Sequence, residues 1–207
     1  MPTLHQVLLL VSALTLAILS PGPAIISATQ TAFSRGRGVA VPYGMGLAFG
    51  ASLWGLCALL GLTAIFAVVP ALYLALKVFG GIYLLWMAWG LWRGALGPVP
   101  EAARNPFGTG FLGGIALNLS NPKPALFYSA LIVAIFPVQA GAAGQAAIYA
   151  VLLSTEMFWY VAVTLAMSTA PVRRRYAAAR SWIDRGAAIV LGALGLALLA
   201  EALRETV

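Results

Sequence analysis

Two proline pairs carry the first chemical signal in this sequence: Ser20-Pro21-Gly22-Pro23 and Asn121-Pro122-Lys123-Pro124. Proline has no N–H, and its ring collides with the carbonyl four residues earlier, so a helix cannot run straight through a Pro-x-Pro pair. The first interruption frees the carbonyls of Ala17 and Leu19, and the second frees those of Asn118 and Ser120. Such carbonyls attract cations, while the N–H groups that open a half-helix after Pro23 or Pro124 favour anions. Ser20, Asn118, Ser120 and Asn121 add side-chain acceptors at the same places. Two ionisable residues, Lys123 and Glu156, lie well inside otherwise uncharged runs. In lipid each would cost at least about 2.5 kcal/mol on insertion scales, so each is a functional candidate by default. Glu156 sits among Ser154, Thr155, Phe158, Trp159 and Tyr160. An ionised carboxylate is costly in such surroundings, which makes Glu156 the candidate proton carrier. The plainer alternative is a static Lys123–Glu156 ion pair holding two helices together.

Other chemistries have little to work with. One cysteine, Cys57, excludes an intrachain disulfide and a multi-thiolate metal site, and one histidine, His5, excludes a histidine cluster. No metal and no cofactor are expected. A Ser–Lys catalytic pair can be drawn from Ser20 or Ser120 with Lys123, but the paired prolines account for the same residues without catalysis. The chain is therefore not expected to be an enzyme.

The elements that must position these residues are membrane helices. The 207 residues are 62% apolar and 8% charged, with mean hydropathy +0.96; a soluble domain carries about a quarter charged residues. Uncharged runs exceed the roughly 20 residues that span a bilayer. Six spans fit: Leu4 to Gln30, Val39 to Phe66, Ala71 to Trp92, Phe107 to Phe136, Gln145 to Ser168 and Gly186 to Leu203, with a tight turn around Pro70. The apolar N-terminus lacks a basic leader and reads as a retained helix. The net charge of +7 is dispersed among polar breaks, so it points to topology and not to nucleic acid. Of twelve Lys and Arg, nine (Arg35, Arg37, Arg93, Arg104, Arg173, Arg174, Arg175, Arg180 and Arg185) fall in the first, third and fifth connections. Basic residues resist translocation, so those connections should be cytoplasmic and both termini should face outward.

Pro21 to Pro122 and Pro23 to Pro124 are each 101 positions apart. Each break thus falls in the first helix of a three-helix half, residues 1–95 and 105–207. Two odd-numbered halves in tandem enter the membrane from opposite sides, the inverted-repeat plan of many secondary transporters. The expected fold is an all-α membrane protein, one transmembrane domain of six helices in two inverted three-helix repeats, with helices 1 and 4 broken at Pro-x-Pro. Trp86, Trp89, Trp92 and Trp182 are expected in the interfacial belt, and Lys77 is expected to snorkel to the interface. Gly46 and Gly50 form a GxxxG pair suited to close packing of the second helix on a partner, which leaves a homodimer open.

The same residues resemble the LysE/RhtB amino-acid exporters. The resemblance rests on Ser20-Pro21-Gly22-Pro23, on Gly36-Arg37-Gly38 with Gly44, Gly46 and Gly50, on Lys77 to Leu84, and on the stretch from Gly110-Phe111 to Asn121-Pro122-Lys123. It covers nearly the whole chain. This sequence departs from the family pattern at Ala24, where a polar residue is common, and at Pro124, where a small one is usual. The resemblance implies a multi-pass protein of the bacterial cytoplasmic membrane that exports an amino acid or related small metabolite, powered by the proton gradient. Another small solute, or a metal ion, is the alternative cargo. On this reading a zwitterion sits between the broken helices. Its carboxylate lies near Lys123 and its ammonium near the carbonyls of Ala17, Leu19 or Asn118. The substrate-binding set is then Ser20, Pro21, Gly22, Pro23, Asn118, Ser120, Asn121, Pro122, Lys123 and Pro124, and Glu156 couples transport to the proton.

Overall fold

The computed structural model describes residues 1–20, 22–68, 70–97, 107–136 and 140–205, excepting the side chains of 62–73, 122 and 173. All regular structure among them is α-helix: α1 Leu4–Leu19, α2 Pro23–Arg35, α3 Arg37–Val68, α4 Pro70–Gly94, α5 Phe111–Leu119, α6 Pro122–Ile135, α7 Ala142–Met167 and α8 Ala170–Arg204. Thr3 caps α1 through a reciprocal box with Gln6. Proline stands at the start of α2 and of α6, where a missing N–H costs nothing. Pro21, the turn residue Val69, Arg104 in the third connection and Gln139 in the fourth lie outside the described residues.

Among the described residues four stretches are long and apolar enough to cross a membrane singly: Arg37–Gly61, Leu74–Gly94, Ala142–Met167 and Ala170–Arg204. Leu4–Leu19 and Pro23–Arg35 qualify as a pair bent by 59°. The expected fourth span divides into α5, of 9 residues, and α6, of 14. At 1.5 Å per residue α6 is only about 21 Å long, short of the roughly 30 Å hydrocarbon core.

The sixth expected helix begins sixteen residues too late in the sequence reading. α8 runs from Ala170 without a break, so the basic segment assigned to a loop is helical. The physical reason is a set of partners. The Arg180 guanidinium donates to Gly94 O at 3.2 Å and Gly97 O at 2.9 Å, satisfying carbonyls at the end of α4. Its Nε lies 3.3 Å from Asp184 Oδ2 one turn on, and both side chains are buried. Arg180 is thus a structural cation and not a free topogenic charge. Trp86, Trp89, Trp92 and Trp182 are exposed, as belt residues would be.

α4 and α8 lie antiparallel along their length. Arg180 joins the end of α4 to the start of α8, Gly81 meets Gly195 midway, and Lys77 meets the far end of α8. Lys77 Nζ stands 2.7 Å from Glu205 Oε1 and 3.4 Å from Glu201 Oε2. Its side chain is 2% exposed, so the expected snorkelling is replaced by a buried stem whose head is held by two half-exposed carboxylates.

The GxxxG pair on α3 finds its partner inside the chain. A Cβ on Gly46 would stand 1.9 Å from Phe111 O, and one on Gly50 would stand 2.9 Å from Ile115 O. From α5, a Cβ on Gly114 would come within 2.3 Å of Tyr43 O. The α3 and α5 backbones are therefore in contact, and this face is closed to a second copy. Adding a methyl here forces two backbones apart, and overpacking of this kind costs about 1–3 kcal/mol. Gly46→Ala should lower the thermal unfolding midpoint in detergent by several degrees, whereas Gly90→Ala, with open space around it, should leave it unchanged or slightly raised. Equal midpoints for the two variants would contradict the packing.

Candidate functional site

Where α1 ends, the Ser20 N–H still bonds Leu16 O, and its hydroxyl donates to Asp184 Oδ1 at 2.5 Å. The Leu19 carbonyl accepts from Tyr176 at 2.7 Å. Where α5 ends, the Asn118 carbonyl accepts from Trp54 Nε1 at 3.4 Å and from the Asn121 N–H at 3.2 Å. Asn121 then caps α6, its Oδ1 accepting from the Lys123 N–H at 3.0 Å. Two of the three carbonyls expected to receive a substrate cation thus already have protein donors. The cause lies in α8 and α3, which bring Tyr176 and Trp54 to the helix ends.

The two helix junctions meet. Lys123 Nζ lies 3.5 Å from where a Cβ on Gly22 would stand, so the amine from the start of α6 rests against the segment joining α1 to α2. Gly22 leaves it that room. Around this contact is a cavity of about 80 Å³. Of the residues singled out from sequence, Ser20, Gly22, Pro23, Asn118, Asn121, Lys123, Pro124 and Glu156 line it. Ser120 is exposed and stands off it. Pro21 and the Pro122 side chain lie outside what is described. Leu14, Ile18, Met87 and Phe127 make up much of the apolar wall.

Glu156 enters from α7 and is 2% exposed. One of its oxygens, Oε1, accepts the Tyr128 hydroxyl from α6 in a close hydrogen bond. Among the described residues no ion pair joins Lys123 to Glu156, so the static pair is not formed. Lys123 and Glu156 line one cavity without touching, an arrangement able to hold a molecule carrying both signs of charge.

A model of the LysE type translocators matches residues 15–202. The chain belongs to that family. Among similar proteins is one named threonine efflux protein from Salmonella typhi, 33% identical over 189 residues that cover 88% of this chain and 92% of that one. A threonine efflux protein of Escherichia coli K12 is 31% identical over the same share of each chain. An uncharacterized membrane protein of the same strain is 25% identical, covering 99% of this chain and 94% of its own. No solved structure matches. The LysE type chain described here is thus a multi-pass membrane protein of a transporter family.

Sequence reasoning missed Tyr128, Tyr176 and Asp184, named Tyr160 only as a neighbour of Glu156, and read Arg180 only as a topogenic charge. Tyr128 and Tyr160 carried a local signal, since each lies four or five residues from a charge already singled out and one helical turn reaches that far. Asp184 was masked by the surrounding arginines. Hydrogen bonds to charged groups contribute about 1.5–3 kcal/mol and neutral ones about 0.5–1.5 kcal/mol. Tyr128→Phe should therefore destabilise the protein in detergent more than Tyr149→Phe, whose hydroxyl meets that of Ser52 at 3.3 Å. Thermal unfolding checks the order, and a larger loss for Tyr149→Phe would refute the weight given to the Glu156 contact.

Proposed function

We propose that this LysE type translocator exports a small amino acid of the threonine class from the cytoplasm in exchange for protons, by alternating access around the cavity at the two helix junctions. The observation that carries the reading is the meeting of Lys123 with the Gly22 segment in a cavity that also holds Glu156. Relatives named for threonine efflux, aligned over most of both chains, supply the substrate class and the direction. Lys123 and the opening N–H groups of α2 and α6 hold the substrate carboxylate, because a cation and helix N-termini both favour an anion. Glu156 carries the coupling proton.

The topology follows the same reading. Each half of the chain has a divided helix followed by two long ones, α1/α2 with α3 and α4, then α5/α6 with α7 and α8. This order supports two inverted three-helix repeats of six spans. Both termini face outward, with Arg35, Arg37, Arg93 and the arginines at the start of α8 on the cytoplasmic side. Rocking of one half on the other would open the cavity to each side in turn.

Reconstituted proteoliposomes loaded with labelled threonine should release it faster when an inward proton gradient is imposed. Lys123→Ala should weaken threonine affinity about tenfold to a hundredfold, the worth of a hydrogen bond to a charged group. Glu156→Gln should lose the acceleration by the gradient. Unchanged affinity in the first variant removes the carboxylate contact, and an undiminished gradient response in the second removes the proton carrier.

A further inference from the structure

Two acceptor atoms in the cavity are left over by the contacts described above. Asn118 donates its Nδ2 to Leu47 O at 2.7 Å, which fixes the amide orientation and identifies Oδ1 as the remaining atom. Glu156 gives Oε1 to Tyr128 and keeps Oε2. Among the described residues neither Asn118 Oδ1 nor Glu156 Oε2 has a hydrogen-bond partner, although each atom is buried and each residue is only 2% exposed. Both residues line the cavity. Leaving a buried acceptor unsatisfied costs about 1–3 kcal/mol, and more when it is charged, so such atoms mark a place for a donor.

We propose that Asn118 Oδ1 and Glu156 Oε2 together receive the α-ammonium group of the substrate, so that substrate and proton compete for one oxygen of Glu156. This deepens the transport reading and rests on it. Two of the three carbonyls that could have served, those of Leu19 and Asn118, are already engaged, whereas these two side-chain oxygens are not. An ammonium has hydrogens to give and nothing to accept, which matches a carboxylate and an amide oxygen. Protonation of Glu156 Oε2 reverses that match, because the oxygen becomes a donor and the negative charge is lost. Ammonium and proton are then mutually exclusive, and exchange needs no second coupling site.

The titratable groups near Glu156 constrain the idea. α6 brings Tyr128 and Lys123 and its own helix brings Tyr160, all lining the cavity. α3 brings Tyr43, whose hydroxyl is 2.7 Å from that of Ser27. α8 brings Asp184, which is engaged by Ser20 and Arg180. No titratable side chain of α1 or α2 lines the cavity. Glu156 is therefore the carboxylate in this wall that is left to change its charge. The recognised class is a zwitterion with a free primary ammonium, and 2-hydroxy acids and N-acylated amino acids are excluded.

The test uses wild-type protein first. Labelled threonine binding to purified protein in detergent should weaken about tenfold for each pH unit below the titration of Glu156, as one competing proton requires. N-acetylthreonine should compete at least a hundredfold more weakly than threonine. In Glu156→Gln threonine should bind at least about tenfold more weakly and without pH dependence, and in Asn118→Ala it should bind about tenfold more weakly with the pH dependence kept. pH-independent wild-type binding, or N-acetylthreonine competing as well as threonine, would overturn the shared-oxygen site even if proteoliposomes still exchange threonine. Loss of threonine exchange by the wild-type protein would instead overturn the transport reading beneath it. The analogue and pH series on wild type decide the matter should either variant fail to fold.

Discussion

A peptide group without a partner costs several kcal/mol in hydrocarbon, and this chain stops two of its helices at Leu19 and Leu119 in apolar surroundings. Much else in the molecule serves to satisfy those ends. Tyr176 of α8 covers the Leu19 carbonyl, Trp54 of α3 covers that of Asn118, and Asn121 caps the helix that resumes. The first two repairs each bring a distant helix to a junction. Satisfying the backbone therefore also decides which helices surround the cavity, and the tight α3–α5 contact at Gly46 and Gly114 follows from holding the short α5 against a long neighbour.

The buried charges fall into two kinds. Arg180 with Asp184, and Lys77 with Glu201 and Glu205, form ion pairs, and their contacts fasten α4 to α8 at opposite ends. Breaking such a pair strands a charge at a cost of about 3–5 kcal/mol, which makes the two helices a stiff unit. Lys123 and Glu156 are different. They share a cavity, do not pair, and leave polar atoms available inside it. A protein that needed them only as struts would have no reason to hold them apart.

This separation explains why the family assignment and the site have different origins. Membership in the LysE type translocators rests on a match along most of the chain. The division of labour among charges rests on contacts between residues far apart in sequence, such as Ser20 with Asp184 and Tyr128 with Glu156.

The sequence by itself determined the apolar helices and the presence of charge within them, because hydropathy acts locally. It did not reveal that α8 continues through the arginine-rich segment, since the partners that stabilise Arg180 are carbonyls at Gly94 and Gly97. Nor did it place Lys77 between two carboxylates or seat the GxxxG pair on α5. Tertiary structure alone decided which freed carbonyls are already taken and which buried oxygens remain. Those outcomes depend on distances of a few ångströms between helices that no spacing along the chain encodes.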